Sequence, residues 1–153
     1  MTRVSGSLAA FALILSVSLA AQSKPSFVGS WKLTSDPSAG PFVASQLVVS
    51  DDGKVLTILS TSQMGELKTI YNLDGSAAQS PLDLGGNMID RSTKAVWDGA
   101  KLVLTTTSDF GGMPFEIKQV LSLAADGTLS VESTFPDFQG GGAPTTSTAT
   151  YKK

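Results

Sequence analysis

The sequence predicts an all-β fold, an antiparallel up-and-down meander of about 8–10 strands that forms a closed or partly open barrel. Two observations predict it. Apolar and polar residues alternate with a period of two, as in strands with one face toward a core and the other toward water. Asp-Gly pairs also occur four times between these runs, at Asp52-Gly53, Asp74-Gly75, Asp98-Gly99 and Asp126-Gly127. Asp-Gly indicates tight hairpin turns because Gly accepts the positive φ that they need.

The start of the chain, residues 1–20, predicts a secretory signal peptide that is not part of the fold. A short positive start, Met1-Thr2-Arg3, precedes an apolar run that ends in small residues, so cleavage is expected after Ala20 or Ala21. A retained membrane anchor is the alternative, but a span needs about 20 apolar residues and this run is shorter. We therefore expect an exported protein, periplasmic or extracellular, with one domain over 21–153 and no integral membrane segment.

Ten alternating runs qualify as strands. The first, FVGSWKLT, places Phe27, Gly29, Trp31 and Leu33 on one face. Thr, Val, Ile and Leu dominate the runs, as the pleated surface of a sheet prefers. The predicted strands are 27–34, 42–50, 54–61, 66–73, 76–80, 87–97, 101–108, 114–124, 128–135 and 145–152.

The connections between these strands alternate in kind. Every even-numbered connection is an Asp-Gly turn, whereas the odd-numbered ones are longer and rich in Gly and Pro, for example SDFGGMP and PDFQGGGAP. Alternate connections of a meander lie at the same end of the sheet. The sequence therefore predicts a barrel with a base, closed by Asp-Gly turns, and a mouth surrounded by longer loops.

The composition argues against several classes of function. The chain has no His and no Cys, so it lacks the commonest general base, the commonest soft nucleophile and the usual zinc ligands. We expect no enzymatic activity, no metal site and no cofactor. Without Arg3, ten basic residues stand against thirteen acidic ones, a net charge of about −3 with no cluster. This balance argues against nucleic acid and anionic membrane surfaces as partners.

Five stretches carry a resemblance to a known family: GSWKLT (29–34), YNLDG (71–75), AVWDGAKLVLTTTS (95–108), LSLAADGTLSVEST (121–134) and YKK (151–153). With them the chain resembles the bacterial secreted lipocalin-like proteins, small β-meander domains that mostly lack an assigned activity. The resemblance covers nearly all of 21–153 and implies a single lipocalin-like β-barrel domain.

Gly29 and Trp31 also match the Gly-x-Trp motif of true lipocalins, which implies that Trp31 closes the barrel base. True lipocalins place a basic residue late in the barrel against this Trp, and Lys152 and Lys153 are the basic residues available here. The helix that usually follows a lipocalin barrel is missing from the sequence.

Apolar residues at the predicted mouth form the first candidate ligand site. Met64, Phe110, Met113 and Phe138 lie in or beside the long loops, where solvent-facing residues are normally polar. Phe110 and Phe138 would frame a portal for an apolar ligand, and flexible thioethers would adapt to its shape. The alternative is that both rings fold back and cap the core.

Arg91 is the second candidate, because it is the only Arg after residue 20. If Trp97 points inward, strict alternation places Arg91 inside the barrel, where it would bind a ligand carboxylate bidentately. A bulge that resets the alternation, or an Arg that extends to the rim, is the alternative. Tyr71 is a further candidate contact, although it also fits the core. Small polar residues at inward positions, which we predict as Thr69, Thr105, Gln119 and Ser133, favour an internal cavity or ordered water.

Together these features predict an exported, monomeric binding protein for a small apolar or amphipathic molecule. The alternative is a non-catalytic interaction or structural β-domain of the periplasm or cell exterior, with a filled core. A fold by itself does not decide between them.

Overall fold

The computed structural model describes residues 24–35, 42–137 and 142–153. The predicted signal peptide and Phe138 lie outside the described residues. The regular secondary structure of the described part consists of strands alone: β1 (Gly29–Leu33), β2 (Gln46–Asp51), β3 (Val55–Ser62), β4 (Gly65–Asn72), β5 (Ala78–Gln79), β6 (Leu82–Leu84), β7 (Asn87–Ile89), β8 (Arg91–Asp98), β9 (Lys101–Phe110), β10 (Met113–Leu123), β11 (Leu129–Phe135) and β12 (Thr145–Lys152).

The strands form one large antiparallel sheet and one small hairpin. The ten-stranded sheet has the order β4-β3-β2-β1-β12-β11-β10-β9-β8-β5, and β6 pairs with β7 in the hairpin between β5 and β8. Neighbours in the sheet are consecutive in the chain, apart from the pairing of β1 with β12 and of β5 with β8. The predicted all-β antiparallel meander is therefore confirmed.

The sheet is nearly closed into a barrel, with one unsealed seam between its edge strands β4 and β5. Strand direction explains the seam. A closed barrel of antiparallel strands needs an even number of strands. The described residues supply nine strands of five or more residues to this sheet, so β4 and β8 run in the same direction. The tenth strand, β5, is antiparallel to both but has only two residues, which is too short to complete the closure.

The interior of the barrel changes character along its axis. On β9, Leu102 and Leu104 lie near the Asp-Gly end, and Thr106 and Ser108 follow toward the other end, all four on the inner face. The apolar half contains the least accessible large side chains: Trp31, Val49, Leu102, Leu104, Leu121 and Leu129. The other half contains buried polar ones: Thr69, Ser80, Arg91, Thr93, Thr106, Ser108 and Ser133. Thr106, and not Thr105, faces inward, because the alternation of β9 begins with Leu102 inside.

The connections at the predicted mouth are tighter than the sequence suggests. Gln63 and Met64 alone connect β3 to β4, and Gly111 and Gly112 alone connect β9 to β10. The prediction of long loops at these two places is wrong. The two glycines have φ values of 65° and 85°, the conformation of a two-residue turn that follows the twist of both strands. The strands can therefore extend to the turn itself.

Two strand predictions also need correction. The predicted strand 87–97 is divided at Asp90 into β7 and β8, and the predicted strand 76–80 shrinks to Ala78–Gln79. Both changes occur where the chain leaves the edge of the sheet to form the β6–β7 hairpin, so no neighbouring strand continues the ladder there.

Candidate functional site

Arg91 lies on the inner face of β8, near the end of the barrel that holds the polar side chains. Thr93 and Ala95 share this face and are buried, whereas Lys94 and Val96 are exposed on the outside. The register with β9 runs unbroken from Arg91–Ser108 to Asp98–Lys101, so no bulge resets the alternation. Only 7% of Arg91 is exposed, which places its guanidinium inside and not at the rim.

The buried guanidinium contacts one residue through hydrogen bonds. Arg91 Nε donates to the carbonyl oxygen of Ser80 at 2.9 Å, and Nη2 donates to Ser80 Oγ at 3.4 Å. Among the described residues the one ion pair lies elsewhere, between Lys152 and Asp126 at 4.0 Å. Arg91 thus has no carboxylate partner in the described part of the chain, although buried charges in proteins are normally paired.

Ser108 is a second polar group at this place without a partner. It is the direct cross-strand neighbour of Arg91, so the two side chains leave the same face of the sheet at adjacent positions. Its Oγ is buried and is the one buried side-chain N or O atom of the described residues that lacks a hydrogen bond. A buried hydroxyl without a partner costs about 1–3 kcal/mol, so this atom is available to a polar group that enters the site.

Tyr71 completes the group, which we call the Arg91 cluster: Tyr71, Ser80, Arg91, Thr106 and Ser108. The Tyr71 hydroxyl lies 3.4 Å from Thr106 Oγ1. Burial raises the pKa of Tyr71, and the Thr106 hydrogen bond and the Arg91 charge act in the opposite direction. Burial lowers the pKa of Arg91 from its ordinary value, yet a guanidinium stays charged at neutral pH. The cluster therefore presents one buried positive charge and several neutral hydroxyls.

The predicted mouth residues do not join this cluster. Met64 and Met113 are 69% and 70% exposed, on separate hairpins. Met113 pairs across the turn with Phe110, whose side chain, like all of Phe138, lies outside what the structure describes. The structure thus brings Arg91 and Tyr71 together inside the barrel and leaves the two methionines on its outer rim.

The barrel base is closed around Trp31. Trp31 is 1% exposed, and its Nε1 donates to the carbonyl oxygen of Phe27 at 2.8 Å. Lys153 Nζ lies 4.8 Å from the ring centroid of Trp31, a cation–π distance. The Lys153 side chain packs against Gly29, where a Cβ would lie only 2.6 Å from Lys153 Cε. Of the two lysines considered from the sequence, Lys153 therefore covers Trp31, and Lys152 faces Asp126.

A cleft at the base was not expected from the sequence. It has a volume of about 820 Å³ and is open to solvent between the segment Lys24–Ser26 and the Asp-Gly turns. Trp97 forms one wall, stacked on Phe27 with centroids 5.9 Å apart and with Lys24 Nζ 5.1 Å from its ring. The carboxylates of this cleft already accept hydrogen bonds within their own turns, Asp51 from Gly53 and Asp74 from Ser76.

Ser80 and Ser108 were missed as site residues. Strict alternation along β9 from Leu102 would have placed Ser108 inward beside Arg91. Ser80 gives no such signal, because it follows a strand of two residues in a stretch, QSPLD, that is typical of a loop.

Comparison with known proteins adds no relationship: no protein-family model matches the chain, and no curated protein matches it. The structure itself contributes two further findings. Among the residues it describes, no helix is long and apolar enough to cross a membrane. Within the same residues, no group of three or more acidic side chains is placed to hold a metal ion.

Proposed function

We propose that this protein is an exported binding protein for a small amphipathic molecule that carries a carboxylate or a similar anionic group. The ligand would lie in the polar half of the barrel, with its anionic group on Arg91. The observation that carries the proposal is a buried guanidinium that lacks a carboxylate partner among the described residues, next to the unpartnered hydroxyl of Ser108.

Charge is the first support. A buried Arg is normally compensated by an acid because desolvation of a charge is costly. Arg91 has only the neutral oxygens of Ser80. Two N–H groups of a guanidinium match two carboxylate oxygens in one plane, and the Ser108 hydroxyl can donate a further hydrogen bond. An anionic group would thus satisfy both residues.

The lining of the same half of the barrel is the second support. The ladder with β9 places Phe115 and Ile117 of β10 on the inner face, and the ladder of β3 with β4 does the same for Leu67. These three are half-buried and alternate with the polar positions. A site of this kind suits a molecule with an apolar body and one polar head.

The proposal includes the cellular context expected from the sequence. Export follows from the predicted signal peptide, and a monomer follows from a single barrel with no other predicted association. The lipocalin-like resemblance fits a small-molecule carrier, and no catalytic step is part of the proposal.

A filled interaction or structural domain remains the second candidate, and one observation favours it. In the base half of the barrel the large side chains of Trp31, Leu102 and Leu129 are at most 1% exposed, as in a filled core. If the polar half is filled in the same way, the exposed methionines Met64 and Met113 become the natural contact points for another protein.

Binding to residues 21–153 tests the proposal. We expect native mass spectrometry to show a co-purified small molecule or, after delipidation, saturable binding of a dansyl-labelled undecanoic acid. Arg91→Gln should weaken that binding by about tenfold or more, because it removes a charge-assisted hydrogen bond. The matched control is Lys94→Gln, three positions along the same strand on its exposed outer face, which should bind as the unchanged protein does.

The methyl ester of the same probe separates charge from apolar contact. The ester should bind weakly to the unchanged protein and equally to Arg91→Gln. A clean apo mass together with no saturable binding of the acid would rule the proposal out and leave the filled domain.

A further inference from the structure

Ser80 and Thr93 form hydrogen bonds with the backbone of β4 across the seam. The backbone N–H of Ile70 donates to Ser80 Oγ at 3.4 Å, and the carbonyl oxygen of Ile70 accepts a hydrogen bond from Thr93 Oγ1. No backbone ladder joins β4 to β5 or β8. The seam is therefore closed at the level of Ile70, by two side-chain hydroxyls.

Ser80 connects this closure to the cation of the Arg91 cluster. Its N–H donates to the carbonyl oxygen of Arg91 at 2.9 Å, and its own carbonyl oxygen accepts from Arg91 Nε at 2.9 Å. Its Oγ accepts from Ile70 N and from Arg91 Nη2, each at 3.4 Å. Ser80 is 4% exposed, so one buried hydroxyl contacts both the seam strand and the proposed ligand anchor.

Toward the mouth the edge of β4 is unsealed. Both backbone groups of Ile70 point to the seam, and alternation along the strand directs those of Lys68 and Glu66 the same way. Neither residue forms a cross-seam hydrogen bond in the described part of the chain. The remaining boundaries of the sheet all have ladders, even the short one where Lys32 pairs with Lys152. The seam is thus the boundary held by the fewest backbone hydrogen bonds.

We propose, on the basis of the proposed function, that the ligand enters the barrel sideways through this seam. Ser80 is the positioning residue that holds the seam closed, and we call its hydroxyl the latch. In the closed state the Ser80 hydroxyl holds Ile70 and orients the guanidinium. An incoming carboxylate accepts hydrogen bonds from Nε and Nη2 of Arg91 in place of Ser80, so Ser80 no longer contacts the guanidinium. Ser80 then loses the guanidinium contacts that help to hold it in place, and its side chain keeps one contact with the seam strand, the hydrogen bond from Ile70 N.

Entry kinetics test the latch directly. Ser80→Ala removes the hydroxyl and keeps the carbonyl oxygen that accepts from Arg91 Nε. Stopped-flow mixing with the dansyl-labelled undecanoic acid should show both the association and the dissociation rate constants raised about fivefold, with a smaller change in Kd, since one hydrogen bond is lost from the closed state. A residue with a merely structural role would lower affinity without raising the association rate.

Thr34→Val is the matched control, because Thr34 Oγ1 donates to the carbonyl oxygen of Thr150 at 3.0 Å at the β1–β12 boundary. It removes a hydroxyl that bonds to the backbone of the neighbouring strand, at a boundary with a short ladder away from the seam. Its rate constants should equal those of the unchanged protein.

A second measurement needs no ligand. The chain has no Cys, so Ser108→Cys introduces a single thiol behind the seam at a position whose hydroxyl has no partner. Its reaction with a small methanethiosulfonate should be about fivefold faster in the Ser80→Ala background and unchanged in the Thr34→Val background.

The two measurements separate the two proposals. Equal thiol reaction rates in all backgrounds, or probe rates that Ser80→Ala leaves unchanged, would overturn the seam as the entry. Absence of saturable probe binding would contradict the proposed function and, with it, ligand entry through the seam. Faster thiol reaction in Ser80→Ala would in that case still show that the barrel opens at the seam.

Discussion

At the scale of single residues, the base depends on three positions that lie far apart in the sequence. Trp31 fills the end of the barrel, Lys153 covers its ring, and Gly29 leaves room for the lysine. Gly29 also has a φ of 145°, which L side chains rarely adopt. A Cβ at this position would therefore meet two separate obstacles, one in the backbone and one in the Lys153 side chain.

A double-mutant cycle separates these obstacles. Gly29→Ala should lower the free energy of unfolding by about 1–3 kcal/mol because of its backbone conformation and the crowded lysine. Lys153→Ala should lower it by about 0.5–1 kcal/mol through loss of the cation–π contact. The double variant should lose less than the sum, because no lysine remains for the new Cβ to meet.

Urea denaturation followed by circular dichroism gives the three values. Full additivity would mean that Lys153 simply moves aside and that Gly29 is needed for its backbone alone. The control is Lys152→Ala, whose side chain faces Asp126 at the surface and which should change stability little.

Alternation along single strands predicted much at this scale. It placed Arg91 inward, and it could also have chosen between the two final lysines, since Tyr151 is buried and Lys153 continues its face. It could not reveal Ser80, whose neighbours across the seam, Ile70 and Arg91, are set by tertiary closure and not by any local period.

At the scale of secondary-structure elements, the β9–β10 hairpin dominates one wall of the barrel. Its ladder runs from the pair Phe110–Met113 at the turn to the pair Leu102–Leu121 near the base. From the sequence, DFGGMP was interpreted as a loop because Gly and Pro are common in loops. The same Gly-Gly pair permits a two-residue turn, and the strands on each side are continuous with it.

Substitutions in this turn test its conformation. Gly112 has a φ of 85°, so Gly112→Ala should lower the free energy of unfolding by about 1–2 kcal/mol. Gly111→Asn is the matched control, because Asn followed by Gly is a preferred pair for this turn, and it should be neutral within about 0.5 kcal/mol. Thermal unfolding of both variants provides the check. Equal tolerance of the two changes would argue for a longer, irregular loop.

At the scale of the whole molecule, three carboxyl groups at the Asp-Gly end of the barrel have lowered pKa values. Asp52 accepts hydrogen bonds from the backbone of Lys54 and Val55, and these lower its pKa below the ordinary 3.8. Hydrogen bonds from Ser76 lower the pKa of Asp74, and those from Thr128 lower the pKa of Asp126. All three carboxylates are exposed, so each contribution is small, but they act in the same direction.

We therefore expect a stability that depends on pH in the acid range. A carboxyl with a depressed folded-state pKa contributes its full stability above the unfolded value of 3.8. It loses that stability as the pH falls through the folded value, since the unfolded chain binds protons first. Urea midpoints should thus be level near neutral pH and decline as the pH falls below about 4.

The triple variant Asp52→Asn, Asp74→Asn and Asp126→Asn keeps an acceptor oxygen in each turn but removes the titration, so its decline should be shallower. Asp98→Asn is the control, because no hydrogen bond to the Asp98 side chain occurs within its turn in the described structure. An unchanged acid slope in the triple variant would assign the decline to other groups.

The sequence was sufficient to predict the all-β antiparallel meander, since most of its hairpins are local and four of them have Asp-Gly turns, but it did not predict the β6–β7 hairpin. It was insufficient for the seam. The even or odd number of strands depends on whether Ala78–Gln79 forms a strand at all, and two residues show no periodicity. The place of Ser80 in the site could not be predicted for the same reason, because Ser80 directly follows this two-residue strand.

The pairing of β1 with β12 makes the order of strands circular. The first and last strands of the described residues are neighbours in the interior of the sheet, while its edges, β4 and β5, follow one another in sequence. A chain that joined its present ends and began instead between Asp74 and Ala78 would keep every ladder. It would read as an uninterrupted meander from one edge to the other. In the present connectivity, Thr34 and Thr150 must meet across 116 positions, whereas all other ladders join near neighbours in the chain. The β1–β12 pairing thus closes the longest loop of the described fold, and assembly of this boundary is the step with the largest entropic cost.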